Sequence, residues 1–329
     1  MAREIGVDDQ EGFDRPGRRS RPRTKRRPDY SDAEIGVVVS VTRGRYACLV
    51  DRRAVSCVKA RQLGRKAVIV GDRVRVVGDT SGDEGTLARI VEAVERTSVL
   101  RRTADDDDPY ERPIVANATQ LVIVTALADP PPRTGMIDRI LVAGYDAGLE
   151  PLLCLTKADL ASPDDLVASY QPLGMAIEVV EPGSDLTALR ERLADQWSVF
   201  VGHSGVGKST LVNALIPEAH REIGHVNEVT GRGRHTSTSA IALPLPDPGG
   251  WVIDTPGVRS FGLSHVSADT IVAAFADLSE ALEDCPRACP HTTGSPGCGL
   301  DKAVAEGSVS PERVDSVRRV IGGLSTDTF

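Results

Sequence analysis

The sequence predicts a multidomain protein with an N-terminal β-barrel, a central α/β domain and a small α-helical C-terminal domain. Short β-type runs separated by turn residues occupy residues 34–102. Strands and helices then alternate, which is typical of a parallel sheet. After Ser267 the pattern becomes helical around a group of cysteine and histidine residues.

Length and charge limit the number of domains, the cellular location and the kind of partner that the sequence allows. A chain of 329 residues can form two or three domains with at least one sizeable core. We find no apolar run of membrane-spanning length and no signal peptide, so we expect a cytoplasmic protein without membrane contact. The net charge is −8, yet residues 15–28 carry eight basic side chains and no acid. We interpret residues 1–33 as a disordered basic arm that either contacts a polyanion such as RNA or is simply solvated.

Residues 34–102 are expected to form the barrel. Short strands are predicted at 35–41, 46–50, 54–59, 73–77 and 86–94. Their number and spacing suit a barrel of the oligonucleotide-binding (OB) type, with an SH3-like barrel as the alternative. Basic residues crowd its first half and form either an RNA-facing surface or ordinary solvated strand faces. These residues are Arg43, Arg45, Arg52, Arg53, Lys59, Arg61, Arg65 and Lys66.

Residues 103–262 are expected to form the α/β domain, after a solvated acidic linker at 102–112. The pattern predicts strands at 120–126, 150–155, 175–180, 197–201, 240–245 and 251–253. It predicts helices at 134–147, 163–173 and 185–195, and a further helix from Thr210 to Leu215. Residues 263–329 follow as the helical domain, with helical segments at 267–283, 300–306 and 311–322.

The first chemical motif is a phosphate-binding loop that follows the strand at 197–201. The pattern G-x-x-x-x-G-K-[ST] lets backbone N–H groups and a helix N-terminus surround phosphate oxygens. In this role Lys208 bridges the β- and γ-phosphates and the Ser209 hydroxyl is a Mg²⁺ ligand. The motif comprises Gly202, His203, Ser204, Gly205, Val206, Gly207, Lys208, Ser209 and Thr210.

Two further segments point to the same nucleotide phosphates. Asp254 ends a strand in the sequence Asp-Thr-Pro-Gly, so it is expected to hold Mg²⁺ through water while the Gly257 N–H meets the γ-phosphate. The long loop at 219–239 holds a candidate switch. There Thr236, Ser237 and Thr238 compete as the residue that reaches Mg²⁺.

The sequence Thr156-Lys157-Ala158-Asp159 matches the guanine-specificity pattern [N/T]-K-x-D. A carboxylate at Asp159 accepts hydrogen bonds from guanine N1–H and the 2-amino group, which adenine does not offer. Thr156, where Asn is commoner, is expected to loosen the hold on guanine O6. This motif precedes the phosphate loop, whereas ordinary GTPases have the reverse order. The sequence therefore predicts a circularly permuted domain whose motifs meet at the carboxyl ends of the strands.

The cysteines fall into two groups. Cys48, Cys57 and Cys154 lie singly in apolar stretches and are expected to be buried. Cys285, Cys289, His291 and Cys298 cluster with spacing C-x₃-C-x-H-x₆-C, and three thiolates with one imidazole suit tetrahedral zinc. The alternative is a degenerate module whose cysteines are reduced and hold no metal.

Together these features resemble the RsgA (YjeQ) family of ribosome small-subunit-dependent GTPases over residues 35 to 320. The resemblance rests on G-H-S-G-V-G-K-S, R-H-T-S-T and D-T-P-G-V-R, flanked by the barrel and the cysteine/histidine module. It implies GTP hydrolysis to GDP during late maturation of the 30S subunit, with the barrel in contact with 16S rRNA. Separately from the resemblance, we expect a monomer. The zinc module of the family has the spacing C-x₄-C-x-H-x₅-C. Here the first gap is one residue shorter and the last gap is one residue longer. The family's G5 element has no clear match at 179–183.

Val258 stands where many GTPases carry a glutamine that orients the attacking water. His235 is the nearest candidate for that role, and the resemblance points to it as well. We therefore expect slow intrinsic hydrolysis that the small subunit accelerates. The rival hypotheses are an rRNA-binding assembly factor with a structural nucleotide site, and a phosphate-loop ATPase or kinase.

Overall fold

The computed structural model describes residues 29–64, 68–103, 111–217, 240–246, 249–255, 261, 263 and 266–322. Residues 29–32 belong to a unit separate from Ala33–Phe329, which contains the elements below. The basic arm at 15–28, Arg65 and Lys66 lie outside the described residues. Within the described ranges no helix has the length and apolar character needed to cross a bilayer.

The N-terminal region is a five-stranded closed barrel. Its strands pair in the order β1-β2-β3-β5-β4 and close by pairing β4 with β1. The β3–β5 pairing is parallel and the others are antiparallel, which identifies the OB-type topology and sets aside the SH3-like alternative. The strands are β1 (Glu34–Thr42), β2 (Arg45–Val50), β3 (Arg53–Lys59), β4 (Arg73–Gly78) and β5 (Ala88–Ala93).

A two-stranded hairpin follows the barrel. Strand β6 (Val99–Arg102) pairs antiparallel with β7 (Arg112–Ala116), on either side of the predicted acidic linker. The acidic run at 105–108 lies outside the described residues. The two strands were not predicted, because their few buried apolar residues (Leu100, Val115 and Ala116) stand among arginines and a proline.

The central sheet orders its strands β10-β9-β8-β11-β13-β12, all parallel except the antiparallel β12. Its strands are β8 (Gln120–Ala126), β9 (Glu150–Thr156), β10 (Ala176–Val180), β11 (Trp197–Val201), β12 (Ile241–Pro244) and β13 (Trp251–Asp254). The helices are α1 (Thr134–Asp146), α2 (Asp164–Tyr170), α3 (Thr187–Leu193) and α4 (Lys208–Leu215). Apolar cores cover both faces of this sheet, as a parallel sheet requires.

Two predicted helices are shorter in the structure. The segment from Gln171 to Leu173 is a 3₁₀ turn that ends α2. Helix α3 begins at Thr187 rather than at Asp185, because the Asp185 carboxylate accepts hydrogen bonds from the Thr187 N–H and hydroxyl at 3.0 and 2.7 Å. Such a local turn competes with helical hydrogen bonding.

The barrel and the central sheet share backbone pairing. Strand β1 pairs with β4 over residues 34–37, is irregular between Val38 and Ser40, and then places Ser40 opposite Ile241 of β12. The result is one 11-stranded hydrogen-bonded sheet. The separate domain patterns in the sequence did not predict this connection.

The C-terminal module contains α5 (Ala268–Ala273), α6 (Ala276–Ser279), a 3₁₀ turn (Glu280–Leu282), α7 (Gly299–Ala305) and α8 (Pro311–Gly322). The single helix predicted at 267–283 is interrupted at Phe275, whose backbone is extended and whose ring meets Tyr145 edge-on at 4.8 Å. The buried residues of this module belong to the same apolar cluster as those of α1.

Candidate functional site

The sheet order brings the predicted motifs to one edge. The guanine motif follows β9, the phosphate loop follows β11, and Asp254 ends β13. Strands β9, β8, β11 and β13 are neighbours and all parallel, so their carboxyl ends point to the same side. The reversed order of the motifs along the chain therefore does not separate them in space.

Glycines shape the phosphate loop in two ways. Gly205 and Gly207 have positive φ angles of 85° and 86°, which side-chain-bearing residues rarely adopt. Gly202 lies so close to β8 that a Cβ there would come within 2.3 Å of the Val124 carbonyl oxygen. Helix α4 begins at Lys208, directly after this loop, so its first N–H groups face the space that the loop surrounds.

Lys208 and Asp254 meet across that edge. The Lys208 Nζ donates to Asp254 Oδ1, although 46 residues separate them in the chain. Both side chains are largely shielded from solvent, with 11% and 23% exposed. The edge thus places an ammonium group suited to phosphate oxygens beside a carboxylate suited to hydrated Mg²⁺. The Ser209 and Thr210 side chains are exposed in the first turn of α4.

Thr156 joins the guanine motif to the phosphate loop. Its buried hydroxyl donates to the Val206 carbonyl oxygen at 2.6 Å and also lies 3.2 Å from that of Thr125. Its one hydroxyl proton is thus donated to the protein backbone, and the expectation that Thr156 holds guanine O6 less firmly than asparagine stays a prediction.

The next residues of the motif face solvent to different extents. Lys157 has a positive φ of 58°, and its Nζ donates to the Asp129 carbonyl oxygen. Asp159 is exposed at the end of the same turn, where the Leu160 N–H closes onto the Lys157 carbonyl oxygen at 3.0 Å. The Asp159 carboxylate is therefore available to a base.

Several predicted residues lie outside the described part of the chain. They are His235, Thr236, Ser237, Thr238, Gly257 and Val258. The structure adds Thr255, whose buried hydroxyl donates to the Phe200 carbonyl oxygen at 2.7 Å and ties the end of β13 to β11. The sequence carried no signal for this bond, since threonine in Asp-Thr-Pro-Gly has no distinctive pattern.

The second site is the cluster of Cys285, Cys289, His291 and Cys298. Their ligand atoms all lie within 4.8 Å of one another. His291 Nδ1 is 3.5 Å from Cys285 Sγ and 3.8 Å from Cys298 Sγ. Zinc–sulfur and zinc–nitrogen bonds of about 2.3 and 2.0 Å in a tetrahedron give roughly 3.6 Å between such ligands. The four residues therefore fit a zinc ion.

Donors surround the sulfur atoms. The Gly299 N–H donates to Cys285 Sγ at 3.1 Å, and the Arg318 guanidinium lies 3.9 Å from Cys298 Sγ while donating to the His291 carbonyl oxygen at 2.9 Å. Burial alone would raise the pKa of the Cys298 thiol, but hydrogen bonds from His291 and nearby N–H groups lower it. The surroundings thus favour the thiolate of Cys298, the form that binds metal, whereas burial raises the pKa of Cys285 to about 11. Cys48, Cys57 and Cys154 are free and buried, as predicted.

Comparison with known proteins agrees with this arrangement. The family described as RsgA GTPase matches residues 93–264. The "Small ribosomal subunit biogenesis GTPase RsgA" of Pseudomonas syringae pv. syringae (strain B728a) is 40% identical over 272 residues, which cover 80% of this chain and 77% of the relative.

Two solved structures are similar. YjeQ from Thermotoga maritima superposes with a TM-score of 0.64 at 25% identity, covering 90% of this chain and 99% of that one. YloQ, described as a circularly permuted GTPase, has a TM-score of 0.62 at 23% identity over 91% and 98% of the two chains, and bears on the fold alone. With the phosphate loop, the guanine motif and Asp254 on one sheet edge in permuted order, the chain belongs to the RsgA GTPase family.

Proposed function

We propose that this protein hydrolyses GTP to GDP and phosphate, acts in late maturation of the 30S small ribosomal subunit and is stimulated by that subunit. One observation supports the nucleotide site above others: the Thr156–Val206 and Lys208–Asp254 contacts join the guanine motif, the phosphate loop and the end of β13. The name of the Pseudomonas syringae relative supports the ribosomal role.

Each motif residue has a proposed task at this edge. Lys208 and the N–H groups of the loop from Gly202 to Lys208 hold the β- and γ-phosphates, and the Asp159 carboxylate reads guanine. Ser209 and Asp254 hold Mg²⁺, together with Thr236 or Thr238 from the switch loop. Bound Mg²⁺ neutralises charge that develops on the phosphates during hydrolysis. The Gly257 N–H is assigned to the γ-phosphate.

His235 is proposed to orient the attacking water, since Val258 cannot accept its proton. Ordering of the switch loop on the subunit then raises the rate. If His235→Ala keeps full stimulated turnover, His235 does not have this role.

We also propose a role for each domain, a metal content and an oligomeric state. Residues 1–33 are a basic arm, 34–102 the barrel that contacts 16S rRNA, 103–262 the GTPase domain and 263–329 the zinc-binding domain. One Zn²⁺ per chain is held by the cysteine/histidine cluster. The protein acts as a cytoplasmic monomer.

The deciding experiment is multiple-turnover phosphate release from GTP, titrated with purified 30S subunits. We expect slow release alone, a rise that saturates with subunits, and loss of both in Lys208→Ala. Subunit binding without nucleotide turnover would instead favour an rRNA-binding assembly factor with a structural nucleotide site. Equal competition by ATP would favour a general phosphate-loop ATPase.

The chain leads from Asp254 directly into the zinc-binding domain, which suggests measuring 30S affinity in different nucleotide states. We propose that γ-phosphate contacts shift this domain relative to the barrel and so change subunit affinity. Equal 30S affinity with GDP and with a non-hydrolysable GTP analogue would contradict that.

A further inference from the structure

We infer that Asp269 is a positioning residue of the metal cluster, which orients His291 so that its Nδ1 faces the three sulfur atoms. This inference rests on the proposed zinc site. Asp269 Oδ1 lies 2.6 Å from His291 Nε2, on the side of the ring away from the sulfurs. Neither the spacing of the ligands nor the 22 residues between Asp269 and His291 marks this contact in the sequence.

Both ring nitrogens of His291 are committed. Nδ1 lies within 3.8 Å of Cys298 Sγ and closer to Cys285 Sγ, while Nε2 meets the carboxylate. The imidazole is fully buried, so in the folded protein its two nitrogens meet these protein groups rather than bulk solvent. A neutral imidazole carries one proton, and a carboxylate that accepts it at Nε2 leaves the Nδ1 lone pair free for metal. Without Asp269, the tautomer protonated at Nδ1 competes with zinc binding.

Helix α5 holds Asp269 in place although its side chain is 63% exposed. The helix begins after Ser267, whose Oγ accepts a hydrogen bond from the Thr270 N–H at 3.2 Å. Ile271 and Val272 of the same helix are completely buried and anchor it in the core of the module. The helix backbone therefore places the Asp269 carboxylate beside the ring. Because this carboxylate is exposed, its role is to orient the His291 imidazole and not to form a buried ion pair.

The position of α5 adds a link to the nucleotide edge. It is the first described helix after Asp254 along the chain. Through the contact between Asp269 and His291, the part of the chain that follows the nucleotide site therefore reaches the metal cluster. The metal cluster is thus held from three sides, by Asp269 on His291, by the Gly299 N–H on Cys285 and by Arg318 on Cys298.

The test is zinc affinity of the full-length protein, measured by competition with a chromophoric chelator. We expect wild type to bind one zinc ion and Asp269→Ala to bind it about 10- to 100-fold more weakly. Asp269→Asn is expected to lose less, because its amide oxygen still accepts from Nε2–H. Asp315→Ala is the matched control, since it removes an exposed carboxylate from α8 of the same module. Circular dichroism of each variant checks that it is folded.

A second readout separates positioning from general stability. Nitrogen-15 NMR of zinc-loaded wild type should show His291 protonated at Nε2 and metal-bound at Nδ1, with a shifted Nε2 proton signal in Asp269→Asn. Zinc affinity of Asp269→Ala equal to that of Asp315→Ala overturns the inference while the zinc site stands. Absence of zinc binding by wild type overturns the zinc site itself.

Discussion

Asp138 of α1 and Arg319 of α8 form an ion pair that fastens the C-terminal module to the central domain. Arg319 Nη1 lies 2.8 and 3.1 Å from the two Asp138 oxygens, and its Nη2 donates to the Ser169 carbonyl oxygen at 2.9 Å. The Tyr170 hydroxyl donates to Asp138 at 3.0 Å, and the guanidinium stacks on its ring at 4.3 Å. Burial raises the pKa of Asp138 although Arg319 opposes the shift.

Arg319→Met should destabilise the protein by about 2–4 kcal/mol at neutral pH, because it leaves a buried carboxylate without its cation. The loss should shrink as the pH falls. Since the pKa of Asp138 is raised in the folded state, the folded protein takes up this proton before the unfolded chain does. Urea unfolding at several pH values measures the effect. Arg287→Met, at an exposed arginine, is the control, and an equal small loss in both variants would refute the role of the pair.

Gly202→Ala should weaken nucleotide binding at least about tenfold and destabilise the fold by roughly 1–3 kcal/mol. The added Cβ meets the Val124 carbonyl oxygen at 2.3 Å, and neither backbone can move without distorting the phosphate loop. A fluorescent GDP analogue and thermal unfolding measure the two effects. Gly135→Ala in α1 has open space and should be neutral or stabilising. A Gly202→Ala variant that binds like Gly135→Ala would contradict the geometry.

Asp159→Asn should reduce GTP affinity about 100-fold or more and raise that for XTP. The amide nitrogen would face the donors of guanine, whereas it can donate to the 2-oxo group of xanthine. Competitive binding of GTP, XTP and ATP measures the change. Asp165→Asn, at an exposed acid of α2, should leave the preference intact. Unchanged GTP selectivity in Asp159→Asn would place the base elsewhere.

Thr156→Val should weaken nucleotide binding and cost about 1–3 kcal/mol of stability, because the buried Val206 carbonyl oxygen loses its donor. Thr156→Ser keeps the hydroxyl and is the matched control. Nucleotide dissociation rates separate a loosened phosphate loop from a lost base contact. Equal rates in the valine and serine variants would show that the hydroxyl does not hold the loop.

Gly299→Ala should abolish tight zinc binding. Its Cβ would lie 1.9 Å from the Ala281 carbonyl oxygen and 3.2 Å from Cys285 Sγ, so α7 must shift away from the cluster. Zinc content by mass spectrometry measures the result. Gly322→Ala at the end of α8 meets nothing within 4 Å and should keep its zinc. Full zinc occupancy in Gly299→Ala would contradict this account.

Local patterns in the sequence predicted most elements, because alternating and helical periodicity depend on neighbours along the chain. The four residues of the cysteine/histidine cluster were also found this way, since thiol and imidazole groups at short spacing are unusual. The sequence did not predict three polar contacts between residues that lie far apart in the chain, because nothing next to a polar residue identifies a distant partner. These contacts are Thr156–Val206, Asp269–His291 and Asp138–Arg319. The break at Phe275 likewise depends on a ring in another helix.

Strand β1 belongs both to the barrel and, through Ser40, to the sheet whose strand β13 ends at Asp254. The pairing of Ser40 with Ile241 therefore attaches the barrel to β12 directly, in addition to the chain that connects the two domains. A force that a bound polyanion exerts on the barrel would therefore be transmitted through β1 to β12, the strand that directly follows the switch loop.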